Sequence, residues 1–574
     1  MNRRELFKGA SALGLAASTP GFVSRAVAET MAPSVAAPVA SLRQVLLLNK
    51  GWRFFAGDIP FPPIMGHDDT YNAAKAGAAR AAASPKFDDG TWQPVTLPHD
   101  FVSFQPIEES GNVDQGYRHR GVAWYRNMLR FEPQDDGKHI ELQLDGVATF
   151  ATVWFNGTLV DRNWSGYNSI YIDLTPYATY GDQLNSLVVR VDVFAHPVKD
   201  EHGWHVPVEV TIYNSGDKTE TVRVHTDIGD EKWGDEKSPA GARLGVTKEV
   251  SVAPLSSTVV TYDLPFANPQ LWSVDTPHLY QVTTSLMSTT DKVLDQVTTN
   301  AGFRTQRFDA QKGFFLNDQP VKIKGVCLHQ DHAGVGTAVP DGVLDFRLRR
   351  MKSLGCNAIR FSHNAQSKEL MDACDRHGFL VMAENRNFNA SPDYLAQLEW
   401  LVRRDRNHPS VFLWSVFNEE PMQGTEAGYQ MVRRMSSVVK SLDTSRPVTA
   451  AMSGGLLTPL NVSHAVDVVG INYQQRLYDP FHAAHPEKPM FSSEDSSALM
   501  TRGAFVTDKK AQVLASYDDE FAPWGETHRD AWKQIDTRDF VAGTFVWTGF
   551  DYHGEPKPFS WPSNSSYFGI MDLC

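Results

Sequence analysis

Two rhythms of apolar and polar positions divide the chain. From about Val45 to Asp192, and again from about Trp204 to Asn300, apolar residues alternate with polar ones in short runs bounded by Gly- and Asp-rich turns, the pattern of half-buried strands. His139-Ile140-Glu141-Leu142-Gln143-Leu144 is such a run. Ala151, Val153 and Phe155 share one face ahead of Asn156-Gly157, a strong hairpin turn, and Ser186–Val191 reads as a further strand. In the second stretch Val208, Val210 and Ile212 alternate, Asn214-Ser215-Gly216 turns the chain, and Val222 and Val224 resume, as in one immunoglobulin-like β-sandwich.

From about Phe303 continuous apolar strands alternate with segments of helical spacing, the mark of βα units around a parallel sheet. Leu344, Leu348, Met351 and Leu354 keep that spacing between Asp341, expected as N-cap, and Gly355. Leu370, Met371 and Cys374 do so between Ser367 and Gly378. Eight strands are expected, at Lys324–Leu328, Ala358–Ser362, Leu380–Ala383, Phe412–Phe417, Val448–Met452, Val468–Tyr473, Met490–Ser493 and Gly543–Thr548, enough to close a (β/α)₈ barrel.

A barrel gathers its working residues at the carboxyl ends of its strands. Glu419 follows the fourth expected strand and Glu494 the seventh. Two carboxylates facing across a barrel mouth are the minimal equipment for cleaving a glycosidic bond, and a separation of about 5–5.5 Å implies retention of anomeric configuration. Glu494 is then expected to attack the anomeric carbon, and its charge to hold the proton on Glu419, the acid/base, near neutral pH. Glu420 is less suited: Pro421 follows it, and only one of two adjacent residues can point inward. His329, His363, Asn364, Asn418, Tyr473 and Trp547 also fall at strand ends, as candidate sugar-binding groups. Asp331 and Glu384 read as hydrogen-bond partners rather than metal ligands. His329, His332 and His363 do not carry a zinc-ligand spacing, so no catalytic metal and no cofactor are called for; a supporting Mg²⁺ or Na⁺ is left open.

The 574 residues exceed one core and imply about three domains. A net charge of −13 argues against nucleic acid or an anionic membrane as the main partner. Cys327, Cys356, Cys374 and Cys574 show no metal spacing, and Cys356 and Cys374 are expected as buried thiols. Asn2-Arg3-Arg4-Glu5-Leu6-Phe7-Lys8, a mild apolar stretch from Gly9 to Ala17, and Ala26-Val27-Ala28 resemble a twin-arginine export signal, so a periplasmic or secreted protein is expected. Beyond the Ala-rich loop at 73–83 there is no low-complexity tract.

These residues resemble the retaining family 2 glycoside hydrolases, most closely their β-galactosidase branch. The likeness runs through Phe87-Asp88-Asp89-Gly90-Thr91-Trp92, Leu97-Pro98-His99-Asp100, Gly121–Arg126 and Val153–Gly157, similar to that family's jelly-roll domain. It continues in Asn357–Asn364 and is most specific in Asp405-Arg406-Asn407-His408-Pro409-Ser410 leading to Trp414–Glu419. The expected organisation is a leader and linker at 1–40, a sugar-binding domain at 41–200 that the resemblance implies is a jelly roll, an immunoglobulin-like sandwich at 201–302 and a catalytic barrel at 303–574. The resemblance also implies Glu419 as acid/base, Glu494 as nucleophile, and His329, His363, Asn418, Tyr473 and Trp547 around the −1 sugar.

Three departures stand out. Some 30–40 residues of the family's jelly roll are missing after Asp192, which leaves that domain incomplete. The helix expected over the eighth strand is absent before Cys574, so apolar surface of that strand should lie open. Ala383-Glu384 replaces the family's Asp-Glu. A fragment or a damaged gene is the expectation from the first two. Residues 551–574 lack the Asn-x-Lys motif of glucuronidases, and Trp561–Gly569 resembles a galactosidase loop. The expected activity is therefore exo-hydrolysis of terminal β-galactosides in oligosaccharides or polysaccharides. The alternatives are a β-glucuronidase or other family 2 glycosidase, or an impaired fragment that binds carbohydrate without cleaving it. Assembly into a homo-oligomer is left open.

Overall fold

The protein is described from a computed structural model covering residues 44–573, apart from 63–64, 70–79, 136–137, 181–188, 215 and 231–243. The segment expected as a leader, much of the Ala-rich loop, Ser186–Val188, Ser215 and Cys574 lie outside the described residues.

The N-terminal part forms small antiparallel sheets. Trp52–Ala56 lies between Gln93–Val95 and Ala123–Arg126, Glu141–Leu144 pairs with Ile170–Asp173, and Ala151–Phe155 turns through Asn156-Gly157 into Thr158–Asn163. Their apolar faces meet in a core built on Trp52, Leu97, Ile140, Leu142, Ile170 and Ile172. The sandwich follows. Gly203–Asn214 buries Val206, Val208, Val210 and Ile212 on one face, as the alternation requires. Val189–Ala195 pairs with this strand, so the segment read as the last strand of the N-terminal domain belongs to the sandwich, and the boundary drawn at 200 moves to near 189. Alternation specifies which face a strand buries but not which sheet it joins, and that is why the sequence misassigned it.

The third part is a closed barrel of eight parallel strands, β1 (Ile323–Leu328), β2 (Ala358–Phe361), β3 (Leu380–Glu384), β4 (Val411–Asn418), β5 (Val448–Met452), β6 (Val468–Asn472), β7 (Met490–Ser496) and β8 (Val541–Trp547). Each expected strand is present. Around them lie α1 (Asp341–Ser353), α2 (Lys368–His377), α3 (Pro392–Asp405), α4 (Glu426–Leu442), α5 (Tyr478–Ala484) and α6 (His528–Asp536). Ser367 caps α2 by accepting from the Leu370 amide, and Gly378 ends it in the left-handed region. Pro340, not Asp341, occupies the N-cap of α1. Cys374 is buried, but Cys356, lying beyond the end of α1, is only half-buried.

The β5–β6 connection holds only a single 3₁₀ turn, Val462–Ala465. No helix follows β8 among the described residues. Residues 548–572 fold back instead: the Ile570 amide donates to Thr548 and the Met571 amide to Gly549, and Ile570 and Met571 pack with Val546 against the core. This return places apolar side chains beside β8, where the sequence left that surface expected to be open.

The sandwich grips the amino end of β4. Trp272 Nε1 donates to the Asp375 carbonyl (3.0 Å), the buried Arg304 donates to the Pro409 and Val411 carbonyls, Arg406 pairs with Glu209 (3.0 Å), and the Ala195 amide donates to Asn407 (3.0 Å). The N-terminal domain reaches the opposite, carboxyl end. Asp100 caps the 3₁₀ turn Phe101–Phe104 and accepts from Thr337 N and Oγ1 in the loop after β1 (3.1 and 3.2 Å), while Tyr117 Oη accepts from Trp561 N (2.9 Å) after β8.

Closure brings β1 against β8, where a Cβ on Gly325 meets the buried Phe545 ring at 2.3 Å and the Thr544 carbonyl at 2.8 Å. Gly325→Ala is therefore expected to destabilise the barrel by about 1–3 kcal/mol, read as a lower denaturation midpoint of the barrel transition.

Candidate functional site

β2 reads Ala358-Ile359-Arg360-Phe361, an apolar strand with one guanidinium in it. Arg360 is 0% exposed, and so is the Glu384 side chain it meets. Nε donates to Glu384 Oε2 (2.9 Å) and Nη2 to Oε1 (3.0 Å), a bidentate pair. Nη1 donates to Glu494 Oε2 (2.6 Å) and the Ser493 carbonyl (3.0 Å), and Nη2 also donates to Asn418 Oδ1 (2.6 Å). All the N–H groups of the fork are thus engaged. Such a charge is tolerable in the barrel interior only with a buried anion and a full set of acceptors.

The two glutamates lie on this cluster. Glu419 follows β4 with φ +53°, and its Oε1 accepts from Asn472 Nδ2 (2.9 Å) at the end of β6. Asn472 Nδ2 also donates to Asn418 Oδ1 (3.0 Å), and Asn472 Oδ1 accepts from Ser493 Oγ (2.5 Å), the residue before Glu494. Register irregularities between Ser415 and Asn418, between Ile471 and Asn472 and between Ser492 and Asp495 interrupt the alternation of β4, β6 and β7 near the mouth. Bulges of this kind re-aim side chains. Glu494 sits within β7, which runs on to Ser496, rather than after it.

Burial pushes the Glu494 carboxyl up to about 8; Arg360 opposes the rise, Glu419 adds to it, and the Tyr473 hydroxyl lowers it. Burial thus lifts Glu494, where the sequence placed the retained proton on Glu419. The two carboxyls share one linked set of donors, and the burial of Glu494 lets the pair keep a proton into the neutral range.

His363 Nδ1 meets Glu384 Oε1 (2.8 Å) and its ring lies parallel to Trp547, centroids 5.3 Å apart. Burial lowers its pKa, so the ring is neutral, and with Nδ1–H donating to Glu384 it keeps Nε2 as an acceptor. His329 stacks on Tyr552 at 4.0 Å and meets Trp547 edge-on; burial pushes its imidazole down to about 3. Tyr473 has φ +51° and its hydroxyl bonds Ser497 Oγ (2.7 Å). Left-handed backbone at a non-glycine residue costs roughly 1–2 kcal/mol, and Glu419 and Tyr473 both adopt it at strand ends. Asn364 stands apart: it is buried and accepts from Gln366 Nε2 (3.2 Å), and no contact among the described residues joins it to the glutamates.

Sequence reasoning missed Arg360, Asn472 and Tyr552. Only Arg360 left a signal, a lone cation inside an apolar strand. Asp331 and Glu384 do serve as hydrogen-bond partners, Asp331 to His553 Nδ1 (2.7 Å). Asp372, Asp375 and His408 lie close enough to share an ion. Asp375 is already engaged by His408 Nδ1 (2.6 Å) and the Ser410 amide (3.0 Å), and the group belongs to the joint at the amino end of β4.

Comparison with known proteins agrees with this layout. The profile "Glycosyl hydrolases family 2, TIM barrel domain" matches residues 309–572, "Glycosyl hydrolases family 2" matches 189–304, and "Glycosyl hydrolase 2 galactose-binding domain-like" matches 106–243. A beta-galactosidase from Bacteroides ovatus is 33% identical over 92% of this chain and 70% of its own length. A putative beta-glucuronidase from Formosa agariphila is 28% identical over 82% of this chain, which spans half of that protein. The crystal structure of a family 2 member from Bacteroides cellulosilyticus superposes with a TM-score of 0.74 at 27% identity, covering 92% of this chain and 68% of that one. With the closed barrel, the sandwich and the N-terminal domain in this order, the chain belongs to family 2 of the glycosyl hydrolases and is a glycoside hydrolase.

Proposed function

We propose that the protein is a retaining exo-β-galactosidase in which Glu494 attacks the anomeric carbon and Glu419 protonates the leaving oxygen, then deprotonates water. The observation that carries this reading is the hydrogen-bonded cluster at the carboxyl end of the barrel, where Asn472 and Arg360 bind the two glutamates into one network. Arg360 supports the charge on Glu494 as it forms, and Asn472 orients Glu419. His363 Nε2, Asn418 and the Trp547 ring are suited to hold the hydroxyls and apolar face of one sugar. The likeness to the Bacteroides ovatus beta-galactosidase supports galactose. The twin-arginine leader supports export and substrates outside the cytoplasm.

A second reading, a β-glucuronidase, has its own observation. Arg386, just beyond β3, is exposed, and its charge acts on Glu420, His329 and His363 at the mouth. It could meet a uronate carboxylate, and some relatives are named beta-glucuronidase.

Aryl galactoside, glucuronide, mannoside and fucoside, with the product anomer followed by NMR, separate these readings. The galactoside is expected to be cleaved fastest, giving the β-anomer first. Preference for the glucuronide, lost in Arg386→Ala, reverses the assignment, and an inverted product removes the nucleophile. Glu494→Gln is expected to lower kcat roughly 10³-fold or more. Glu419→Gln should cost about 10²–10⁴-fold with a poor leaving group and little with an activated aryl one.

The productive state holds one proton on the pair. A second proton, gained at low pH, neutralises the nucleophile; loss of the last removes the acid. kcat/KM is thus expected to fall at alkaline pH as the pair loses that last proton, which the burial of Glu494 carries into the neutral range. A flat profile to pH 10 contradicts the coupling.

Arg360→Ala strands buried Glu384 without its cation and is expected to lower stability by about 3–5 kcal/mol, measured by urea unfolding. Arg360→Lys should keep more of the stability yet lose activity, because a point charge cannot span Glu384, Glu494 and Asn418 together.

A further inference from the structure

The insertion between β7 and α6 carries one aromatic residue whose attachment the cleavage chemistry does not explain. Trp524 is 41% exposed, yet it is anchored on two sides. Its indole Nε1 donates to Ser497 Oγ (3.3 Å), the hydroxyl that also bonds Tyr473 Oη, itself beside Glu494. The Lys557 ammonium lies 4.9 Å from the ring centroid and 3.6 Å from Glu555, whose Oε2 accepts from Tyr552 Oη (2.6 Å), and Tyr552 stacks on His329. One route reaches Trp524 from the end of β7 and the other from the loop after β8. They tie the indole to the carboxyl end of the barrel, with Ser497 and Tyr473 between it and Glu494.

The backbone is equally constrained. Ala498–Leu499 pairs with Glu520–Phe521, the Ala522 amide donates to the Ser497 carbonyl (2.9 Å) and the Glu526 amide to the Ser496 carbonyl (2.8 Å). A Cβ on Gly525 would lie 2.0 Å from the Ser496 carbonyl oxygen, so only glycine lets this turn approach the end of β7 so closely. An apolar ring that is held rigidly but left open has already lost its conformational freedom, and a ligand stacking on it need not supply that cost again.

We propose that Trp524 is the stacking platform of a second sugar subsite, binding the ring on the leaving-group side of the scissile bond. This rests on the proposed galactosidase reading. A pyranose presents a face of C–H groups that pack against an indole, as apolar surface does on aromatic rings generally. Lys557, half-exposed beside the same ring, is a donor for that sugar's hydroxyls. The ligand class is therefore a β-linked disaccharide or longer chain rather than a simple glycoside.

The test uses the full chain with two probes: a panel of β-linked galactosyl disaccharides, and β-galactosyl fluoride, which has no leaving-group sugar. Trp524→Ala is expected to raise KM and lower kcat/KM for the best disaccharide about tenfold, the loss of one stacking contact. The fluoride should stay within about twofold of the parent protein, since its transition state never meets the ring. Trp524→Phe should recover most of the disaccharide rate. Equal losses on both probes overturn the inference, because Trp524 would then act through Ser497 and Tyr473 on Glu494. A parent protein that hydrolyses the fluoride but no disaccharide overturns it as well. A parent protein inert to the fluoride removes the galactosidase reading, and this subsite with it.

Discussion

A guanidinium with no access to water constrains the whole barrel mouth. Arg360 carries a full positive charge in the barrel interior, where an unpaired ion is penalised by several kcal/mol. Glu384 on β3 neutralises it through a bidentate contact. Glu494 on β7 and Asn418 on β4 then complete its donors. Four strands are thereby held in fixed relation at their carboxyl ends. The same bonds leave Glu494 in an environment where burial and a neighbouring carboxylate raise its pKa while a cation lowers it. A carboxyl balanced between such influences can change its protonation state during a reaction near neutral pH.

The two β-rich domains contribute at opposite ends of the barrel. The sandwich clamps residues 406–411 at the amino end of β4 through Arg304 and Glu209, and reaches Asp375 on α2 through Trp272, at the end away from the glutamates. The N-terminal domain reaches the mouth, where Asp100 holds the loop after β1 and Tyr117 holds the loop after β8. These are the loops that carry His329 and Tyr552, so the N-terminal domain sets the position of a stacked pair in the pocket wall. One domain supports the barrel and the other shapes its opening. This division explains why a chain with one short set of site residues needs so much β structure.

The contrast between the joint and the site bears on how family likeness is read. Asp405–Ser410 is the most recognisable stretch, yet Asn407 and Arg406 face the sandwich and His408 bonds Asp375. Its constraint is that several polar groups must be satisfied in a buried interface. It identifies the architecture, whereas the chemistry is identified by Glu419 and Glu494 and by the side chains that touch them.

By itself the sequence determined the number of barrel strands, the alternating sandwich strands, the place of Glu419 just after β4 and that of Glu494 near the carboxyl end of β7. Those features rest on local periodicity, and a continuous apolar run or a strict alternation needs no partner to be read. Tertiary structure alone decided the rest. Val189–Ala195 joined the sandwich because strand pairing is a long-range choice. Asn472 became the link between Glu419 and Ser493 because an irregularity near the end of β6 re-aimed it. Asn364, equally near a strand end, turned toward Gln366. The return of residues 548–572 over β8 follows from backbone hydrogen bonds that no residue pattern announces. Side-chain direction at a bulged strand end and the partner chosen by a strand edge both depend on neighbours distant in sequence, and for that reason they emerge only once the barrel has closed.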